Sequence, residues 1–284
     1  MEIINIVAIA LVQGLTEFLP VSSSGHLVLL PQLLKWTDQG VGIDVAAHLG
    51  SLVAVLFFFV RNPKGENNSE VKLKPAKLIA DCSSFLRVLA SFVKSQKACY
   101  FSFYILSLAV ATLPVATLGF LFRDFVASDL RTIKVVAYST IIFGLLLGFA
   151  DRFRGKKTLN DLSLGLLIII GIVQSLALIP GVSRSGITIT AALLLGFSRK
   201  SAVAISAILA VPVIGLSAGL ELSYFFQTAD RRMFFDLILV LGMSSLSAYF
   251  SLLLLFKLVE KVGMIPFVIY RIFLGVILLL LFVD

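Results

Sequence analysis

The sequence predicts an all-α polytopic membrane protein: six transmembrane helices and two re-entrant helical hairpins arranged as an inverted-topology repeat. Three observations carry this reading. The composition is too apolar for a water-facing globule, six apolar stretches have spanning length, and two further apolar regions are broken at matching places by Pro, Gly and Ser. Of 284 residues, 59% are hydrophobic and 14% charged, against about 25% charged in an ordinary soluble domain. So few polar residues cannot cover so large a core, and lipid must cover it. The two cysteines, Cys82 and Cys99, exclude a disulfide framework, and their spacing suits neither a metal cluster nor a CxxC pair. A formal charge of +8 is read as basic loops facing anionic lipid. Nucleic acid is not expected, because no basic stretch is interleaved with stacking aromatics. The N-terminus lacks a basic n-region and is not expected to be a removable signal peptide.

Along the chain, the first apolar region, 3–34, is interrupted by Pro20, the run Ser22-Ser23-Ser24-Gly25, His26 and Pro31. Spans follow at 41–60, 100–122 and 133–150. The second interrupted region, 162–196, is broken by Pro180-Gly181 and Ser183-Arg184-Ser185-Gly186, and spans follow at 201–220, 234–256 and 264–283. A span needs about 20 residues, and each arm of the broken regions falls short. A hairpin that enters and leaves on one side fits, with its non-helical turn covered by protein or lining a wet cavity. Residues 78–95 mix apolar positions with Asp81, Arg87 and Lys94 and read as an amphipathic interfacial helix.

The broken regions resemble each other. Val12-Gln13-Gly14-Leu15 matches Val173-Gln174-Ser175-Leu176, and the Pro20–Gly25 turn matches Pro180–Gly186 after a one-residue insertion, at an offset of about 161 residues. Three spans separate the hairpins, so the second unit is inverted relative to the first, the layout of broken helices meeting near the midplane. The chain thus reads as one integral membrane domain, 1–284. Repeat one is 1–150 (hairpin 3–34 plus three spans) and repeat two is 151–284 (hairpin 162–196 plus three spans).

Charge sets the orientation. The segment 61–97 carries eight Lys/Arg, joined on the same side by Arg152, Arg154, Lys156, Lys157, Arg199, Lys200, Lys257 and Lys261. The opposite side has Lys35, Arg123, Arg131, Lys134, Arg231 and Arg232. The basic side is cytoplasmic by the positive-inside rule. Hairpin one then enters from outside and hairpin two from the cytoplasm.

Glu17 is a costly carboxylate in an apolar segment, and Gln13, four residues earlier, shares its helix face. His26 follows the serine turn, and Arg184 lies in the second turn. Each Ser/Gly run precedes a new helical stretch, so both helix N-termini would aim N–H groups and positive dipole ends at one centre. That is an anion site, with phosphate its common occupant, and the Arg184 fork suits phosphate oxygens. Ser22, Ser24, Gly25, Ser183, Arg184, Ser185, Gly186 and Thr188 are the expected phosphate contacts. Packing readings stand beside these. The serines could back-bond to carbonyls, and Glu17 could pair with Arg184 as a structural ion bridge. Gln174 is expected to hydrogen-bond across the repeat interface. Asp44 and His48 could line the site mouth, and Arg271 reads as a snorkelling or pairing residue.

The segment VQGLTEFLPVSSSGH with the later PGVSRSG resembles the undecaprenyl-diphosphate phosphatase family, the bacitracin-resistance type of bacterial membrane phosphatase. The first motif has the form (E/Q)xxxE followed by P-x-S-S-x-G-H. Gln13 takes the alternative first residue, Glu17, Ser22, Ser23, Gly25 and His26 fit directly, and IPFVIYR up to Arg271 is also similar. The resemblance covers essentially the whole chain. It implies hydrolysis of undecaprenyl diphosphate to the monophosphate carrier lipid, a bacterial plasma-membrane location and a site open to the outer, periplasmic face. It also implies a divalent cation, Mg²⁺ or Ca²⁺, with Gln13 and Glu17 as its side-chain ligands. The partners are a polyprenyl diphosphate lipid and the bilayer, with a homodimer left open. The expected catalytic set is Glu17, Ser23, His26 and Arg184. Ser23 is the nucleophile and His26 its proton acceptor or the base for water, and direct attack by water stays open. The rival class is a polyprenyl-phosphate transporter or flippase, because inverted repeats with broken helices also suit alternating access.

Overall fold

The computed structural model describes residues 3–34, 36, 41–61, 98–130, 132–153, 155–225 and 231–282. The amphipathic helix expected over 78–95 lies outside the described residues, as does the Ser24 side chain. Among the described residues the regular structure is helical, apart from one isolated β-bridge between Lys157 and Phe197.

The first interrupted region is α1 (Ile3–Phe18) and α2 (Ser23–Leu34), packed on each other. Its break is confined to Leu19–Ser22, and α2 continues through Pro31. Proline disfavours the helical region for the residue before it, so α1 stops short of Leu19-Pro20. There follow α3 (Val41–Arg61), α4 (Ala98–Leu121), the short α5 (Arg123–Ser128) and α6 (Ile133–Ala150). The second interrupted region is α7 (Leu164–Gln174), continued by a 3₁₀ turn over Ser175–Leu178, then α8 (Arg184–Leu194). The chain ends with α9 (Arg199–Phe225), α10 (Arg231–Lys261) and α11 (Ile265–Phe282). Side-chain caps fix two of the starts: Thr132 accepts the Val135 N–H at α6 and Ser163 accepts the Leu166 N–H at α7.

Five helices are long and apolar enough to cross a membrane, within α3, α6, α9, α10 and α11. The remaining expected span is α4, of 24 residues, whose described apolar part is Ile105–Leu121. The 16 residues of α1 rise about 24 Å, short of the roughly 30 Å hydrocarbon core. Large side chains such as Phe120, Phe235, Phe250, Phe273 and Leu280 face outward on the long helices, as lipid-facing surfaces do.

Helices of the two halves clasp each other. α1 packs on α10, and α7 on α4; α3 packs on α9, α6 on α11 and α6 on α8. Exchanging α1–α4 with α7–α10 leaves the first three of these pairings unchanged as a set. The α1–α3–α10 contact is built without much apolar contrast, since lipid tails are as apolar as leucine. Small residues and hydroxyls carry it instead. On one face of α10, Ser244 donates to Ala47 O at 2.6 Å, Ser247 to Leu11 O at 2.9 Å and Ser251 to Leu15 O at 2.7 Å. Gly14 makes the approach possible, because a β-carbon there would collide with the Ser244 carbonyl.

The other end of the bundle is tied by charge. Asp151, buried after α6, takes Arg199 Nε at 2.6 Å and Nη2 at 2.7 Å, and the Met264 N–H at 3.1 Å. One carboxylate thereby joins α6, α9 and the turn between α10 and α11.

Candidate functional site

The two breaks fold alike. Ser22 and Ser183 both have left-handed backbone, φ +73° and +70°, a conformation that costs a non-glycine residue roughly 1–2 kcal/mol. Each serine then caps the helix it precedes. Ser22 Oγ accepts the Gly25 N–H at 3.3 Å, and Ser183 Oγ accepts the Gly186 N–H at 3.1 Å. The matched pairs, Ser22 with Ser183 and Gly25 with Gly186, keep the offset of the sequence repeat. The first N–H groups of a helix have no carbonyl of their own. Beyond the capped positions those of Ser23 and Ser24 in α2, and of Arg184 and Ser185 in α8, remain to face an anion.

Glu17, at the end of α1, is the hub. It is 7% exposed. Its Oε1 takes Arg184 Nη2 at 2.7 Å, joining hairpin one to hairpin two. Its Oε2 takes Gln13 Nε2 at 2.7 Å and Ser23 Oγ at 3.0 Å. His48 Nε2, from α3, stands 4.0 Å from the same oxygen. Arg184 is held from behind by Ser206 O at 3.2 Å and by the Phe18 ring, 5.9 Å from centroid to guanidinium carbon. Gln13, Glu17, Ser23, Arg184 and His48 are therefore brought together by four helices. Glu17 and Arg184 form an ion bridge, which stands against the first residues of α2 and α8.

Several expectations change. His26 is not placed to take the proton of Ser23. Its Nδ1 lies 2.7 Å from Ser22 O and its Nε2 against the Tyr270 hydroxyl, so both ring nitrogens are engaged elsewhere. Glu17 is the acceptor that Ser23 meets. The hydroxyls of hairpin two are also committed. Ser183 caps α8, Ser185 donates to Leu19 O across the breaks at 2.8 Å, and Thr188 packs against Arg184 O, Ser185 O and Ser206 Oγ. They shape the second break rather than offering donors to a phosphate, which leaves Arg184 and the backbone as its anion-facing groups. Among the described residues Gln174 makes no bond across the repeat: both polar atoms of its buried amide find no hydrogen-bond partner there. Asp44 contributes its carbonyl, which receives His48 Nδ1 at 2.7 Å and aims Nε2 at Glu17.

Arg271 does not snorkel. It is fully buried in α11, and its fork reaches Thr140 O at 3.1 Å, Gly181 O at 3.0 Å, Val182 O at 2.9 Å and, longer, Pro20 O at 3.5 Å. Non-helical backbone in a membrane needs partners for its carbonyls, and this one side chain serves both breaks. Gly186 admits it: a β-carbon there would stand 2.6 Å from Arg271 Nη1. Tyr270 and Arg271 are the site residues that the sequence reading did not place; an arginine in the middle of the last apolar span, near two proline breaks, was the available signal.

Among the described residues no group of three or more His, Cys, Asp or Glu could hold a metal. An oxygen-only pair does exist. Gln13 Oε1 is a buried acceptor with no hydrogen-bond partner, on the side chain that also contacts Glu17. This donor set fits a hard cation that takes its other ligands from substrate oxygens and water.

Comparison with known proteins follows this geometry. The family described as "Bacitracin resistance protein BacA" matches residues 6–277. A protein named undecaprenyl-diphosphatase from Campylobacter curvus is 41% identical over 283 residues, covering 100% of both chains. One of the same name from Thioalkalivibrio sulfidiphilus is 41% identical, covering 99% of this chain and 100% of its own. Undecaprenyl-diphosphatase 1 of Pseudoalteromonas translucida is 41% identical, covering 97% of each.

Proposed function

The chain belongs to the bacitracin resistance protein BacA family, and from that premise we infer that it hydrolyses undecaprenyl diphosphate to undecaprenyl phosphate and phosphate. The reaction returns the carrier lipid to envelope polymer synthesis and removes the diphosphate that bacitracin sequesters. The observation that carries the site assignment is the Glu17 carboxylate, which holds Arg184 of one break and Ser23 of the other at hydrogen-bond distance.

The chemistry follows from those contacts. Arg184 is a ready clamp for phosphoryl oxygens, and Glu17 is the anion it bonds. Substrate binding exchanges one anion for the other. Glu17 is then free of its cation, and a carboxylate without a paired cation is the stronger base. Ser23 Oγ attacks the terminal phosphorus, its proton passes to Glu17 Oε2, and the bond from that phosphorus to the bridging oxygen breaks, releasing undecaprenyl phosphate. Water then attacks the phosphoserine with His26 as the final acceptor of its proton, and Glu17 returns its proton to Ser23 as phosphate leaves. Arg184 and the N–H groups of α2 and α8 balance the phosphoryl charge, which is most of what such a transfer asks of a protein. Gln13 orients Glu17 as the base; the alternative role of the pair, Gln13 Oε1 with Glu17, would be to hold the Mg²⁺ or Ca²⁺ expected for the family in place of that proton transfer. When bound, that ion would supply further neutralisation of phosphate charge.

The layout that accompanies this reading has six spans and two re-entrant hairpins as inverted repeats, 1–150 and 151–284. Its support is the short broken arms, the matched serine caps and the exchange of pairings between halves. The enzyme is a multi-pass membrane protein. We place it in the bacterial plasma membrane, with the site open to the periplasmic face on the charge asymmetry of the loops. The same exchange of pairings would serve alternating access, so movement of the lipid is the second reading.

Phosphate release from undecaprenyl diphosphate by protein purified in detergent tests the assignment. Glu17→Ala and Arg184→Ala are expected to abolish turnover while the protein remains folded. No turnover by the wild type, together with lipid-phosphate movement in sealed liposomes, would replace hydrolysis with transport.

A further inference from the structure

His26 sits in the first turn of α2, and its Nδ1 lies 2.7 Å from the Ser22 carbonyl oxygen. A carbonyl only accepts, so Nδ1 carries the ring proton, and the Nε2 of the neutral ring holds a lone pair. Facing Nε2 is the hydroxyl of Tyr270, which must then be the donor. The two rings lie nearly parallel, 8° apart with centroids at 5.6 Å. No other position on the imidazole remains for a water or a substrate oxygen.

Tyr270 is held there by its neighbour. Arg271, fully buried, pins this turn of α11 to carbonyls of both breaks. The position of the phenol relative to α2 is therefore set by the same bonds that set the breaks. Tyr270 is itself half-exposed, and a phenol oxygen that donates its proton still has lone pairs able to accept a second hydrogen bond.

We propose that Tyr270 is the residue through which His26 acts, a relay that takes a proton from the attacking water as it gives its own to His26 Nε2. The step balances. The water's O–H bond breaks as a new one forms on the Tyr270 oxygen, the phenol O–H breaks as Nε2–H forms, and the water oxygen adds to phosphorus. The proton leaves Nε2 by the reverse transfer when the site next meets bulk water. The proposal rests on the reading above that His26 serves as base, and it adds a residue from the last helix to the chemistry of the first hairpin.

The test is Tyr270→Phe beside His26→Ala, in purified protein with undecaprenyl diphosphate. Tyr270→Phe keeps the ring and its packing and removes one hydroxyl. Its kcat is expected to fall about 10- to 100-fold, the range that misplacing a catalytic group produces, with KM changed by no more than about twofold. The chain has only two histidines, so ¹⁵N-histidine spectra, assigned through His48→Gln, report the ring directly. The unprotonated Nε2 resonance of His26 should shift in Tyr270→Phe while Nδ1 remains protonated. Should Tyr270→Phe fold poorly, 3-fluorotyrosine at position 270 changes the acidity of the hydroxyl without changing its shape, and kcat should still respond. If His26→Ala is inactive but Tyr270→Phe turns over like wild type, the relay is wrong and the base assignment stands. If His26→Ala is itself fully active, the base assignment fails first.

Discussion

Replacing Arg271 by Met should loosen both breaks at once. Arg271 makes three bonds of 2.9–3.1 Å, to the Thr140 carbonyl within α6 and to the Gly181 and Val182 carbonyls of the second break, and a fourth at 3.5 Å to the Pro20 carbonyl of the first. Hydrogen bonds from a charged donor contribute about 1.5–3 kcal/mol each, so the three shorter ones together amount to roughly 4–9 kcal/mol. Burying a guanidinium without a carboxylate carries a desolvation cost of several kcal/mol, and Met removes that cost. The carbonyls decide the sign. With no water in the hydrocarbon to replace the lost donor, the Val182 and Pro20 carbonyls lose it outright, while Gly181 O keeps the Thr140 hydroxyl and Thr140 O lies within α6; a net destabilisation of roughly 3–5 kcal/mol is expected, the scale of breaking a buried charged partner. In a protein of this size that lowers the melting midpoint by roughly 6–15 °C. Arg271→Lys should fall between, since a compact ammonium cannot span carbonyls that the planar fork reaches together. Thermal unfolding in detergent, followed by tryptophan or near-UV signal, reads it. A Met variant that melts within about 2 °C of wild type and keeps its turnover would refute the claim that Arg271 bolts the breaks, because that shift corresponds to only about 1 kcal/mol.

Other outcomes follow from single contacts. Glu17→Gln preserves shape but removes the base and the partner of Arg184, and kcat in detergent should drop by about 10²–10⁴-fold, the usual worth of a general base. Ser23→Ala should abolish turnover with an unchanged melting midpoint, whereas Ser22→Ala, which removes the α2 cap, should cost about 1 kcal/mol of stability; the reverse pattern would exchange their roles. Gly14→Ala must push α1 off α10 and should destabilise by about 1–3 kcal/mol, as overpacking does, measurable in the same melts. Asp151→Ala leaves Arg199 and the Met264 N–H without their acceptor, and a loss of about 3–5 kcal/mol is expected.

The two helix breaks were legible in the sequence because Pro20, Pro180 and the Ser/Gly runs cannot continue a helix without penalty, and the short arms because the α-helices beside the breaks have only 11 to 16 residues. Glu17 and Arg184 were legible as candidates, since a charge in an apolar segment needs a reason. That they touch was one of two readings, which the sequence could not decide between because the contact joins residues 167 apart and depends on how two halves pack. His26 was misassigned for a local reason: it lies near Ser23 in sequence, but the turn of α2 points its ring at Tyr270. Tyr270 itself resembles any aromatic at a lipid-facing position. Arg271 was read as snorkelling or pairing; it pairs, but with backbone carbonyls, which carry no residue code. Gln174 shows the opposite error, a polar residue in a buried repeat position for which a partner was expected and the described residues supply none.

The hydroxyl stripe on α10 has a consequence for how the chain is made. The carbonyls of Leu11, Leu15 and Ala47 wait for Ser247, Ser251 and Ser244, which leave the ribosome 197 to 236 residues later. At usual synthesis speeds of about 5–20 residues per second, that is a delay of roughly 10–40 s. For that interval the first hairpin is in the bilayer without the helix that closes over it. Insertion of the first three helices alone should therefore give a protease-sensitive intermediate, which becomes resistant only once α10 has been threaded in beside it.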